Sequence, residues 1–143
     1  MKNKKILLVD DNQDDLALII RAFNKLKFSE ELMVANDGVE ALEYLFGCKG
    51  ENGCPVEDMP SLTLLDLKMP RINGLEVLRE MKGSQKTQRI PVVMFTSSCE
   101  EQDIIASRNL GANAYIQKPV NFSNFTAAIS QLVSSMNLQP ISK

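Results

Sequence analysis

Histidine is absent from the chain. That absence removes the Ser-His-Asp and Cys-His nucleophile pairs, and with them every His-ligated zinc or non-haem iron site. Any catalysis must rest on Asp, Glu, Lys, Ser or Thr. Cysteine is scarce as well: Cys48, Cys54 and Cys99 are odd in number and lack CxxC spacing. The opening MKNKK carries no apolar signal region, so a reduced, cytoplasmic protein is expected. No apolar run exceeds the length of a strand, which leaves no candidate membrane span and no membrane partner. Neither sign of charge dominates. Sixteen basic and eighteen acidic residues give a formal charge of -2, so the overall balance suggests no nucleic-acid footprint.

What the chain does have is alternation. Its 143 residues suit one domain. Short apolar runs at 6–9, 32–35, 62–65, 91–95 and 114–116 read as strands. Between them lie helical patterns. Leu16, Ile19, Ile20, Phe23 and Leu26 form one stripe of a first helix. Shorter stripes follow at Val39, Leu42, Leu45 and Phe46, at Leu75, Leu78 and Met81, and at Ile104, Ile105 and Leu110, where Gly111 is a stop signal. Phe122, Phe125, Ile129, Leu132, Val133 and Met136 mark the last helix. Five strands alternating with five helices predict an α/β fold: a doubly wound parallel five-stranded sheet with helices on both faces, each crossover right-handed. The stretch 47–61, rich in Gly and Pro, is long for a connection and reads as a surface insertion rather than a lid.

Parallel topology sends every strand's carboxyl end to one edge, and ligands bind there, at the point where strand order reverses. Polar residues gather at those ends in this sequence. Asp10 and Asp11 follow ILLV, Asp66 follows LTLL, Thr96 and Ser97 end VVMF, and Lys118 with Pro119 follows AYIQ. Carboxylates brought within several ångströms repel, and without a cation at least one is driven toward protonation. An all-oxygen donor set of this kind suits Mg2+, which keeps much of its hydration and commonly bridges to phosphate. With Lys118 as a fixed cation and Thr96 as a hydroxyl donor, the group has the parts that phosphoryl transfer to a carboxylate needs. Asp66 is the candidate acceptor. Asp14 and Asp15 fit better as first-turn acids of a helix than as ligands.

Five ordered motifs, VDD at 9–11, LLDLKMP at 64–70, INGLEVL at 72–78, FTS at 95–97 and AYIQKP at 114–119, resemble the receiver domain of two-component response regulators. The resemblance implies a flavodoxin-like (βα)5 fold and phosphorylation of Asp66 from a histidine kinase. It places Mg2+ on Asp10, Asp11, Asp66 and the backbone carbonyl of Lys68, directly or through water. Thr96 becomes the switch hydroxyl, Lys118 the phosphate counter-ion, Tyr115 the aromatic that changes rotamer, and Pro119 a cis residue. It implies further a single receiver domain at 4–137 with a C-terminal tail at 138–143 and no effector domain. The stretches FTSSCEEQDI and LGANAYIQKPVNF are similar to stand-alone regulators that pair with phytochrome-type kinases.

By the same resemblance, Gln13, Leu16 and Ala17 on the first helix would meet the kinase. The face of the fourth helix, fifth strand and fifth helix, carrying Ile104, Ile105, Asn109 and Tyr115, would engage a partner or pair two copies. Lys68 and Ser98 occupy positions that tune access of water to the phosphoryl group. Such a protein accepts and slowly loses a phosphoryl group and is not a conventional turnover enzyme. An Asp-nucleophile phosphatase would need a second aspartate two residues after Asp66, where this chain has Lys68. A receiver-like interaction module without phosphorylation is disfavoured by the intact set Asp10, Asp11, Asp66, Thr96 and Lys118.

Overall fold

A computed structural model describes residues 5–26, 31–47, 59–69, 71–98, 100–117 and 121–135, with side chains only to 131 in the last segment. The elements alternate as β1 (Lys5–Val9), α1 (Gln13–Leu26), β2 (Glu31–Ala35), α2 (Gly38–Phe46), β3 (Leu62–Leu65), α3 (Gly74–Lys82), β4 (Val92–Thr96), α4 (Glu101–Asn109), β5 (Ala114–Gln117) and α5 (Phe122–Ser135). All five strands pair in parallel in the order β2-β1-β3-β4-β5. Each expected strand therefore lies within one residue of an observed one.

Why these runs form interior strands follows from their burial. β3 and β4 are buried at every position and β1 at all but Lys5, because helices cover both faces of the sheet. Ile6, Leu8, Leu64, Val93 and Phe95 point to one face, against Leu16, Ile19 and Phe23 of α1 and Phe125 and Ile129 of α5. Leu7, Val9, Leu65, Val92 and Met94 point to the other, against Ala41 and Leu45 of α2 and Val77, Leu78 and Met81 of α3. Each fully buried Leu, Ile or Val contributes about 1.5–3 kcal/mol, so these two layers drive the fold.

Some helical stripes differ from expectation. In α2 and α3 the buried positions include Ala41 and Val77, while Val39 and Leu75 are only half-buried. The departure is larger in α4, where Ser107 is the buried residue and Ile105 is 45% exposed. Ile105 of the expected stripe thus faces away from the sheet, while Leu110, just beyond α4, packs against the second core layer. Gly111 does terminate this region, at a φ of 104° that side chains other than glycine rarely adopt. Leu132, Val133 and Met136 of the expected last stripe lie outside the residues whose side chains are described, as do Cys48, Cys54, Cys99 and Pro119.

Chain order places the functional edge. From β1 the chain passes to β2 on one side of the sheet, then to β3 on the other, so strand order reverses between β1 and β3. In parallel sheets ligands bind outside the carboxyl ends of the strands at such a reversal. Register does the rest: Ile6 pairs with Leu62 and Val9 with Leu65, so the next residues, Asp10 and Asp66, emerge side by side.

Candidate functional site

Asp10 and Asp66 leave the sheet still tied to it. The amide of Asp10 donates to the Ala35 carbonyl at 3.2 Å, and that of Asp66 to the Val9 carbonyl at 2.9 Å. Both side chains are buried, at 1% and 6% exposure, whereas Asp11 faces solvent. Carboxylate oxygens of Asp10, Asp11 and Asp66 all lie within 4.8 Å of one another. Asp10 is oriented by its Oδ1, which accepts from the amide of Asn12 at 2.9 Å. Asn12 in turn accepts from the amide of Asp15 at 3.0 Å, opening α1. Asp14 and Asp15 occupy the first turn of that helix, as expected, and stand outside the carboxylate cluster.

The loop after Asp66 is fixed from two sides. Gly74, the first residue of α3, packs so closely that a Cβ there would lie 2.2 Å from the Asp66 carbonyl oxygen; its amide donates to the Leu67 carbonyl at 2.8 Å. Only glycine allows α3 to begin against the backbone of the candidate acceptor. On the other side, Arg71 holds a φ of 68° and bonds its guanidinium to Asp37, the N-cap of α2. The Glu40 amide, followed by the Arg71 guanidinium, holds the Asp37 carboxyl below its ordinary value of 3.8. Asp37 thereby joins the start of α2 to the loop that carries Lys68.

Thr96, the last residue of β4, is wholly buried, and its Oγ1 accepts from the amide of Ser98 at 3.3 Å. Tyr115 on β5 is half-buried and donates its hydroxyl to the Ser98 carbonyl at 3.0 Å. Lys68 extends toward α4, with its Nζ 3.9 Å from Glu100 and 3.8 Å from Asp103. Gln13 donates to Asn36 at 3.1 Å on the exposed surface. Leu16 is 3% exposed, so of the three α1 positions expected to meet a kinase it is a core residue and is unavailable. Lys118 lies outside the described residues.

Three of the expected metal ligands are therefore brought together, and Thr96 ends β4, two strands from β1 in the same parallel sheet. What sequence reasoning missed is the support: the Asn12 cap, the close approach of Gly74, and the Asp37–Arg71 bond. The Asn12 cap was visible in principle as an Asn before an acidic first turn. An ion pair spanning 34 residues leaves no local signal.

As donors the cluster offers hard carboxylate oxygens of like charge, two of the three from buried side chains, and this set fits a divalent cation. Comparison with known proteins agrees. The family model of the response regulator receiver domain matches residues 6–130. Response regulator Rcp1 of Synechocystis sp. is 35% identical over 131 residues, covering 92% of this chain and 87% of that protein. Its Mn(2+)-bound structure superposes with a TM-score of 0.79, at 97% coverage of each chain. The phosphorylated cyanobacterial phytochrome response regulator RcpA gives 0.79 at 34% identity, with 95% of each chain covered. The bacteriophytochrome response regulator RtBRR is 46% identical, covering 92% of this chain and 78% of that one, with a TM-score of 0.73.

The chain belongs to the response regulator receiver domain family, the phosphoryl-accepting modules that sensor histidine kinases control in two-component signalling. Its five-stranded order is that of the flavodoxin-like receiver fold. Among the described residues no helix is long and apolar enough to cross a membrane.

Proposed function

We propose that Asp66 is the phosphoryl acceptor and that Asp10, Asp11, Asp66 and the Lys68 backbone carbonyl hold Mg2+ beside it. The observation that carries this reading is the convergence of three carboxylates within 4.8 Å at the switch point of the sheet. Bound Mg2+ would offset the charge on the phosphoryl oxygens. A carboxylate oxygen of Asp66 forms the bond to phosphorus as the phosphorus–nitrogen bond of the donor phosphohistidine breaks. Lys118 neutralises one phosphoryl oxygen, and Thr96 turns its hydroxyl to another, giving up its contact with the Ser98 amide. Tyr115, tied to the next atoms of that backbone, follows, and the surface of α4, β5 and α5 changes shape.

The donor on this reading is a sensor kinase of phytochrome type, supported by similarity to regulators whose names carry that pairing. A second copy is the proposed occupant of the α4, β5 and α5 face in the phosphorylated state. Ile105, exposed there, supplies apolar area for it.

The test uses acetyl phosphate as donor with Mg2+ present, read by intact mass. The expected result is a gain of one phosphate that disappears in Asp66→Asn and on chelation of the metal. No gain in the unaltered chain would leave a receiver fold that works by binding alone.

A further inference from the structure

Lys68 is the residue of the acceptor loop whose charge the phosphoryl chemistry above does not use. Its side chain is 59% exposed and lies within ion-pair range of two carboxylates, Glu100 just before α4 and Asp103 in its first turn. Glu100 is 58% exposed, Asp103 only 13%. Asp103 is held independently, because Ser98 donates its hydroxyl to the same Oδ2 at 2.5 Å. The carbonyl of Ser98 is the one that receives the Tyr115 hydroxyl. One chain of polar contacts therefore runs from the residue two beyond Asp66 to the aromatic of β5.

We propose that Asp103 and Glu100 are positioning residues that draw the Lys68 ammonium toward α4 and compete with the phosphoryl group on Asp66 for it. This rests on the reading of Asp66 as acceptor. Both ion pairs are long and the Lys68 end of each is exposed to water, so they are exchanged at little cost. A phosphoryl group replaces the single charge of the carboxylate by roughly two negative charges, and on the acceptor loop Lys68, two residues beyond Asp66, is the cation held only by long ion pairs, whereas Arg71 is bonded to Asp37. Once drawn over the phosphoryl group, Lys68 hinders approach of water. Hydrolysis forms a bond from water oxygen to phosphorus and breaks the bond from phosphorus to Asp66. It releases inorganic phosphate and restores the carboxylate, with the water's proton passing to phosphate or solvent. The acidic start of α4 thereby sets how long the signal lasts, and the departure of Lys68 loosens Asp103 from one of its two partners.

The chain is loaded with acetyl phosphate and Mg2+, the donor is removed, and decay of the phosphorylated mass is followed. Asp103→Asn keeps an oxygen that accepts from Ser98 while removing the charge that holds Lys68. Decay should slow about two- to fivefold, the range that weak, water-exposed ion pairs carry. Glu100→Gln, at an exposed side chain that needs no repacking, should act in the same direction and more weakly. Lys68→Ala should speed decay and abolish the effect of both variants. Equal lifetimes in Asp103→Asn, Glu100→Gln and the unaltered chain overturn this inference alone, as does a lengthening that persists in Lys68→Ala. Failure of the unaltered chain to gain phosphate overturns the acceptor reading and this inference together.

Discussion

The half of the molecule around β1 and β3 and the half around α4 and β5 are built differently. In the first, α1 buries Leu16, Ile19, Ala22 and Phe23, and α3 buries Gly74, Val77, Leu78 and Met81. Capping is provided by Asn12, Asp37 and Asn73, whose side chains each accept an amide three residues on. In the second, α4 buries Ser107, whose hydroxyl finds no partner among the described residues, and Glu100 makes no side-chain cap bond. β5 is half-buried where β4 is fully buried. The carboxylates thus stand on tightly packed ground, and the element that would report their state is held by exchangeable polar contacts. Regions with few buried apolar contacts open at low free energy, and that is where a signal can move structure.

Breaking the packed half should have the largest effect. Leu64→Ala, in the middle of β3 with 1% exposure, is expected to cost about 2–5 kcal/mol in denaturant unfolding. A loss under about 1 kcal/mol would mean that the two halves are packed alike. At the margin of the same half, Asp37→Ala removes the α2 cap and should cost about 1 kcal/mol near neutral pH. Its folded carboxyl is depressed below 3.8, so the stabilisation it brings is complete above that value and is lost as pH falls through the folded value. Unfolding curves of the two proteins should therefore differ at neutral pH and converge in acid. Smallest of all, Ile105→Ser on α4 should shift stability by no more than about 0.5 kcal/mol. A larger loss would show that α4 depends on a contact its exposed side chain does not reveal.

The interior strands β1, β3 and β4 were legible because burial on both faces demands largely apolar runs, and such runs stand out in any sequence. Asp10, Asp11 and Asp66 were legible for the complementary reason, since charge directly after such a run has no place in a core. The α4 stripe misled: Ile104 and Ile105 suggest a buried seam, yet Ile105 is turned to solvent. Two neighbouring apolar residues do not fix which way a short helix faces. Leu16 misled in the opposite sense, since one residue cannot serve both the core stripe and a docking surface. Nothing in the sequence could pair Arg71 with Asp37 or Lys68 with Asp103, because such contacts depend on how three loops meet at one edge.

By itself the sequence determined the alternation of elements, the parallel sheet, and the charge gathered at its carboxyl edge. These are properties of period and residue type, local to a few positions. Tertiary structure decided that Val9 and Leu65 lie in register, so that residues 56 apart, Asp10 and Asp66, share one site. It also decided that α3 begins on the backbone of Asp66 and that Lys68 leans toward α4. Distances between side chains depend on strand register and loop approach, which only the packed whole specifies.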